Sequence, residues 1–384
     1  MPGKTVLILG AGVGGVVAAN RLRRMLNKEH RVVLVDRSPI FAFPPSFPWV
    51  MLGQRKVERI SRDVRRLERK GIEFKAAEIT GFDFDTKRVQ TRDGEELAYD
   101  YLIVSLGVDY SSEEVPGLNH AWSFYHAEGA EGLRDELTKF RGGRIAVCVT
   151  AMPYRCPAAP YEGAMLLEHH FRKRKIRGDV ELHFYSPEQV PLKAAGKHIG
   201  EGVLDLLQGR DIGFTGGVSL QSVDHEKGRL NFSDSSDAGF DMLVATPVHR
   251  LPNVLKGSAL VNGGDWIPVD RETLATTAPD VYAIGDATVT PLANGTQLPK
   301  AGVFAHGQAE VVARNIAAEI AGSDPIWAFG GQGSCFLETG GGRGAYITGH
   351  FFNEPDPAVV MRGPNRLWHL AKVGFERSWL WRWY

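Results

Sequence analysis

Short apolar runs closed by glycine or charged turns alternate along this chain with longer stretches of helical spacing. The first run, KTVLIL at 4–9, is followed by Gly10-Ala11-Gly12-Val13-Gly14-Gly15. The stretch VVAANRLRRML comes next, then RVVLV at 31–35, ending at Asp36. This order predicts a strand, a tight turn, a helix and a second strand, which is the opening unit of a doubly wound parallel sheet. A second unit is predicted from RIAVCV at 144–149, with a helix near 162–173 and a strand at 180–185. A strand at 281–284 runs into Gly285-Asp286, and 301–320 reads as a helix. The segment FAFPPSFPW at 41–49 is predicted to be irregular, because its prolines interrupt any ladder.

Composition narrows the class. Lys+Arg and Asp+Glu are both 45 among 384 residues, so no basic excess exists for nucleic-acid binding. The 44 glycines exceed the usual ~7% and point to backbone approaching ligands closely. No apolar run reaches the ~18 residues of a membrane span. The chain enters its first strand at once, without a signal-peptide pattern, so a cytoplasmic location is expected. Three cysteines, Cys148, Cys156 and Cys335, make no disulfide framework. No metal site is expected.

The glycine turn carries the first chemistry. Gly10 makes the turn, Gly12 leaves room for a pyrophosphate, and Gly15 lets helix and strand pack closely. The helix N-terminus offers free N–H groups to phosphate. Asp36, at the end of the next strand, suits ribose hydroxyls, with Arg37 beside it. The second unit lacks such a cradle. No glycine occurs between Gly143 and Gly163, and Pro153, Pro157 and Pro160 fall in the turn. Proline has no N–H to offer a phosphate, so a standard nicotinamide site is not expected there.

Two further segments, Tyr99–Gly107 (YDYLIVSLG) and Asp280–Asp286 (DVYAIGD), resemble the accessory motifs of two-dinucleotide-domain flavoproteins. The resemblance implies FAD, with Ser105, Gly107, Gly285 and Asp286 at its site. Arg155-Cys156-Pro157 through Pro160-Tyr161-Glu162 resembles the R-C-P-x-x-P-Y-E segment of sulfide:quinone oxidoreductases and of the flavoprotein subunit of flavocytochrome c sulfide dehydrogenase. Pro299-Lys300-Ala301 resembles another of their motifs. It implies an α/β fold of two Rossmann-like dinucleotide-binding domains: 1–110 with 255–325 for FAD, 111–254 for the second, and 326–384 as a C-terminal flavin- and quinone-facing segment. It also implies that Cys156 and Cys335 face each other beside the flavin and that Lys300 lies near the flavin pyrimidine. Hydrosulfide would open a Cys156–Cys335 disulfide to a persulfide and a thiolate. Cys335 is assigned the flavin-proximal role and Cys156 the sulfur-carrying role, although nothing in the sequence orders them. Glu162 is a candidate general base, and His198 a candidate for the path of sulfide. No cysteine lies in 1–147, so FAD is expected without a thioether from an early cysteine.

The end of the chain, 365–384, interleaves Trp368, Trp379, Trp381 and Trp383 with Arg366, Lys372, Arg377 and Arg382. It is expected to be an interfacial amphipathic helix on the cytoplasmic face of the cell membrane. Tyr346, Phe351 and Phe352 are candidates for a quinone pocket, because aromatic rings sandwich planar ligands. The expected activity is oxidation of sulfide to zero-valent sulfur or polysulfide, with electrons passed through FAD to membrane quinone. A flavocytochrome c-like sulfide dehydrogenase, a type II NADH:quinone oxidoreductase and a flavin-based redox sensor are the alternatives. Homo-oligomerisation is left open.

Overall fold

The computed structural model describes residues 3–384. The first strand–turn–helix–strand unit runs from the strand Thr5–Leu9 through the helix Val13–Met25 to the strand Arg31–Asp36. It sits in a five-stranded parallel sheet with Glu73–Ala76 on one side and Tyr101–Val104 and Val281–Ala283 on the other. The strand from 281 arrives late in the sequence, so the sheet is closed by two distant pieces of chain. Val6, Leu7, Ile8 and Leu9 are all buried, as expected of a strand covered on both faces. Gly10, Ser105 and Gly285 follow the carboxyl ends of three of these strands and Asp36 is the last residue of a fourth, the edge where open α/β sheets bind ligands.

The second unit forms a separate four-stranded parallel sheet in the order Ile212–Gly216, Val180–Ser186, Gly143–Val149 and Met242–Thr246. The helix Ala159–Lys173 follows the strand from 143 and begins with Pro160 in its first turn, where a missing N–H costs nothing. A third, antiparallel sheet of Gln332–Gly340, Arg343–His350 and Ala358–Asn365 precedes the last helix, Arg366–Trp383.

Two stretches differ from their sequence reading. Residues 41–49 are not irregular: Ile40–Ala42 pairs as a short strand, Pro44–Ser46 is a 3₁₀ turn, and Phe47–Val50 is one helical turn. Proline sits at the start of each turn, where it is tolerated, and Phe43, Phe47 and Trp49 point into the core.

The last helix is not simply laid out for a membrane. Lys372, Glu376, Trp379, Leu380 and Trp383 are buried at helical spacing and face the protein. Trp379 packs on Phe41 and Phe43 at 5.1 and 5.2 Å between ring centroids. Ser46 Oγ donates to Glu376 Oε2 at 2.5 Å, and Arg55 Nε lies 3.0 Å from Glu376 Oε1. Asn20 Nδ2 donates to the Trp383 carbonyl at 3.1 Å. The opposite face leaves Leu367, Leu370 and Trp381 exposed, beside the exposed Arg366, Arg377 and Arg382. Among the described residues no helix is long and apolar enough to cross a membrane.

The glycine turn generates a paired prediction. A Cβ on Gly15 would lie 1.8 Å from the Gly10 carbonyl oxygen, so Gly15→Ala should cost the fold at least about 1–3 kcal/mol. A Cβ on Gly12 would meet nothing within 4 Å, so Gly12→Ala should leave the unfolding midpoint of flavin-free protein unchanged and lower the flavin content of purified protein. Thermal unfolding and the flavin-to-protein absorbance ratio read the two effects separately.

Candidate active site

One cavity of about 1680 Å³ joins the first sheet's carboxyl edge to the cysteines and the antiparallel sheet. Ligand pockets usually measure roughly 300–1,000 Å³, so this one has room for a dinucleotide and a further substrate. Gly10, Gly12, Asp36, Arg37, Ser105, Gly107, Gly285, Asp286 and Lys300 all line it. Gly15 does not, because it serves the packing of helix on strand.

The cradle end is built by local sequence. Gly10 has φ +97°, and a Cβ there would lie 2.2 Å from the Ser105 carbonyl. The helix that follows has Gly12 as its N-cap and no side-chain cap, so its first N–H groups face the cavity without a protein partner from that residue. Asp36 Oδ2 accepts from Ala11 N at 2.6 Å and Oδ1 from Ser38 N at 2.8 Å, which fixes the carboxylate at the mouth of the turn. Arg37 is exposed and pairs with Asp109 at 3.2 Å. At the other end, Asp286 Oδ1 is buried without a hydrogen-bond partner. Burial pushes its pKa up, against the attraction of Arg155 and Lys300. The open space at Gly12 and the orphaned oxygen of Asp286 both fit an FAD molecule, with ribose at Asp36, pyrophosphate at Gly12 and the ribityl end at Asp286.

The cysteines come from different layers. Cys156 lies just before the helix Ala159–Lys173, in the left-handed region at φ +53°, which is uncommon for a residue with a Cβ. Its N–H donates to the Lys300 carbonyl at 2.5 Å, and its own carbonyl accepts from Ala159 N at 2.8 Å. The turn around it is filled by the buried Tyr154, whose OH donates to the Pro157 carbonyl at 3.2 Å. Cys335 stands on the strand Gln332–Gly340. Both are free thiols, both line the cavity, and each shifts the pKa of the other, while Cys335 Sγ donates to the Phe336 carbonyl at 3.4 Å. The neighbouring Cys335 holds the Cys156 pKa below the usual thiol value, and Cys156, together with burial, pushes that of Cys335 well above it. Cys148 is buried mid-strand, and burial alone pushes its thiol up to about 12.

Glu162 is neither solvated nor free. Its Oε1 accepts from Lys372 Nζ at 2.5 Å and its Oε2 from Glu338 N at 3.0 Å, with both side chains of the ion pair about 5% exposed or less. Burial pushes the Glu162 pKa up. Burial also works against the Lys372 ammonium, but the Glu162 and Glu338 carboxylates outweigh it and hold its pKa above the ordinary value. Both shifts have one meaning: this pair holds a proton tightly beside the cysteines.

Lys300 lines the cavity and is anchored on its own side by two carbonyls and a ring. Its ammonium donates to the Asp286 and Thr288 carbonyls at 2.7 and 3.0 Å and lies 3.4 Å from the centroid of Trp266. Burial lowers its pKa to about 7. It therefore holds Asp286 by the backbone while its own carbonyl holds Cys156. Of the three aromatic candidates, Tyr346 lines the cavity, with Thr348 and His350 at the same period-two positions of their strand. Phe351 and Phe352 follow the end of that strand and leave the cavity wall: Phe351 packs edge-on against Phe304 at 5.0 Å and Phe352 against Phe329 at 5.6 Å. His198 is exposed on the helix Lys197–Gln208, outside the cavity wall.

The comparisons with known proteins agree with this architecture. The sequence model of the pyridine nucleotide-disulphide oxidoreductases matches residues 4–309. The chain belongs to that family. Within it, the chain is 26% identical to the mitochondrial sulfide:quinone oxidoreductase of Mus musculus, over 88% of this chain and 76% of that protein. It is also 26% identical to the sulfide-quinone reductase of Aquifex aeolicus, over 99% of this chain and 91% of that one. The crystal structure of the sulfide:quinone oxidoreductase from Aquifex aeolicus superposes with a TM-score of 0.89 at 23% identity, covering 99% and 91% of the two chains. The family fold supplies two dinucleotide-binding units, and in this member the second has a proline- and tyrosine-filled turn.

Sequence reasoning missed Lys372, Glu338 and His369. A charged residue set in the buried stripe 372–376–379–383 was the available signal for Lys372. The site's electrostatics predict that iodoacetamide at neutral pH labels Cys156 faster than Cys335 and leaves Cys148 unlabelled in the folded, reduced protein. A lower pKa means more thiolate at that pH. Cys335→Ala should slow labelling of Cys156, because it removes the neighbouring thiol that lowers its pKa. Peptide mass mapping over time measures all three.

Proposed function

We propose that this chain is an FAD-dependent sulfide:quinone oxidoreductase associated with the membrane surface. The observation that carries the reading is the pair of free thiols, Cys156 and Cys335, on the wall of the cavity opened by the dinucleotide cradle. The glycine-free turn of the second unit supports it against an NADH dehydrogenase. The absence of any cysteine in 1–147 weighs against the covalent flavin of a flavocytochrome c-like enzyme.

In the oxidised protein the two cysteines form a disulfide. Hydrosulfide attacks one sulfur, the S–S bond breaks, a persulfide forms on the attacked cysteine and the other leaves as thiolate. Cys156 is given the sulfur-carrying role and Cys335 that of the flavin-proximal thiolate. Bound FAD supplies a two-electron acceptor for the thiolate's electrons and a donor to quinone. The Lys300 carbonyl fixes the Cys156 backbone, and Lys300 Nζ fixes that of Asp286. The Glu162–Lys372 pair takes up or returns protons at the same wall. Beyond the cysteines the cavity is lined by Phe336, Tyr346, Phe375 and Lys372, an aromatic slot with one cation that suits a quinone ring and its carbonyl. The exposed Leu367, Leu370 and Trp381, with Arg366, Arg377 and Arg382 beside them, suit the headgroup layer of the membrane that holds the quinone.

One assay tests these roles together: sulfide-driven reduction of a quinone carried in anionic lipid vesicles. Cys156→Ser and Cys335→Ser should each lower turnover at least about 100-fold while the flavin stays bound, a loss within the range for removal of a nucleophile's partner. Leu370→Ser with Trp381→Ser should sediment less with the vesicles and keep activity toward a water-soluble quinone. Full activity in either cysteine variant contradicts the disulfide chemistry, and unchanged sedimentation contradicts the membrane face.

A further inference from the structure

Behind the cysteine wall, a row of titratable side chains runs from the cavity to the surface. Glu162 and Lys372 line the cavity at one end. Lys372 and His369 are three residues apart on one helix, so their side chains share a face. His369 Nδ1 lies 2.8 Å from Glu338 Oε2, and Glu338 N donates to Glu162 Oε2 at 3.0 Å. The Glu338 side chain is 2% exposed, and its second oxygen, Oε1, is buried with no hydrogen-bond partner. The His369 side chain is 26% exposed and reaches solvent. Trp49 covers the row from outside the helix: its ring lies 6.1 Å from that of His369, edge-on, and 4.7 Å from Lys372 Nζ.

A buried carboxylate with one bonded and one empty oxygen is costly to keep unless it serves a purpose. Quinone reduction supplies one. Forming quinol takes two electrons, delivered from the flavin, and two protons, which make the two new O–H bonds. The slot is walled by aromatic side chains, so those protons need a path.

We propose that His369 and Glu338 are the outer half of a proton path to the quinone, and that Lys372 and Glu162 are its inner half. This rests on the quinone reading given above. A proton from water enters at His369 Nε2, and the Nδ1 proton passes to Glu338 Oε2. Glu338, whose Oε1 has no partner and whose charge supports the Lys372 ammonium, hands a proton on to Lys372 once that ammonium has given one to the quinone oxygen. Each transfer breaks one N–H or O–H bond and forms another; after one proton is delivered Lys372 and Glu338 are as they began, and His369, left with its proton on Nε2, returns to its starting tautomer by a ring flip at the solvent-exposed end. His369 touches no reacting atom and acts through Glu338, so it is a positioning and relay residue.

Stopped-flow absorbance on the FAD-loaded enzyme separates the two half-reactions. His369→Gln keeps a hydrogen-bond donor for Glu338 but cannot relay a proton. It should slow flavin reoxidation by quinone at least about tenfold, within the range for losing a general acid, while sulfide still bleaches the flavin. His369→Ala should be equally slow and should recover with added imidazole, with the rescue following buffer pKa. Glu338→Gln should be slow and should not recover. Unfolding midpoints near wild type for His369→Gln exclude a loss of fold as the cause. Reoxidation at the wild-type rate in His369→Gln and His369→Ala, or slowing in His369→Ala that no buffer restores, overturns the relay. Failure of sulfide to bleach the wild-type flavin, or of quinone to reoxidise it, would instead overturn the sulfide:quinone reading itself.

Discussion

The buried ion pair between Glu162 and Lys372 ties together the three pieces of chain that meet at the cysteines. Glu162 is in the first turn of the helix that follows Cys156. Lys372 is on the last helix, and the Glu338 N–H that completes the Glu162 carboxylate is three residues beyond Cys335. Removing one partner of a buried pair costs about 3–5 kcal/mol, because the other charge is left without compensation. The same contact thus holds two cysteines distant in sequence side by side and docks the terminal helix that carries the exposed hydrophobic face. The cysteine wall and the seat of the last helix are thus assembled by one interaction.

A second constraint acts on Cys156 from the opposite side. Its N–H is bonded to the Lys300 carbonyl, and Lys300 Nζ is bonded to the Asp286 carbonyl. The cysteine turn of the second unit is therefore fastened to the cofactor edge of the first. In a dinucleotide-binding unit that turn would stay open, with glycine backbone facing a pyrophosphate. Here Tyr154 fills it and the left-handed Cys156 points its sulfur toward the first unit's cavity. Loss of the second cradle and gain of the cysteine site are two results of one local change.

The parts legible in the sequence are those whose physics is local. Gly10, Gly12 and Gly15 each have a conformational or steric reason that a strand–turn–helix pattern reveals, and Asp36 and Asp286 follow the ends of predicted strands. The cysteine pair was reached only through resemblance, since nothing local to Cys156 points to Cys335. What stayed hidden depends on contacts across the whole chain. Lys372 reads as one more interfacial cation until the helix face that carries it is seen to pack inward. Lys300 carries the expected motif, yet its ammonium turns to two carbonyls and Trp266, a choice set by tertiary packing. Phe351 and Phe352 lie beyond the end of a strand whose period-two face stops at His350, and a break of that kind is not visible in an aromatic-rich run.

The account stands on the claim that electrons enter from sulfide at the cysteines and not from a nicotinamide. Anaerobic titration of the purified flavoprotein, with sulfide in one cuvette and NADH in another, tests it most directly. The account predicts that sulfide bleaches the oxidised flavin band rapidly, that added quinone restores it, and that NADH leaves it unchanged on the same timescale. Rapid bleaching by NADH with none by sulfide would contradict it, and would mean that the filled turn at Tyr154 still admits a dinucleotide.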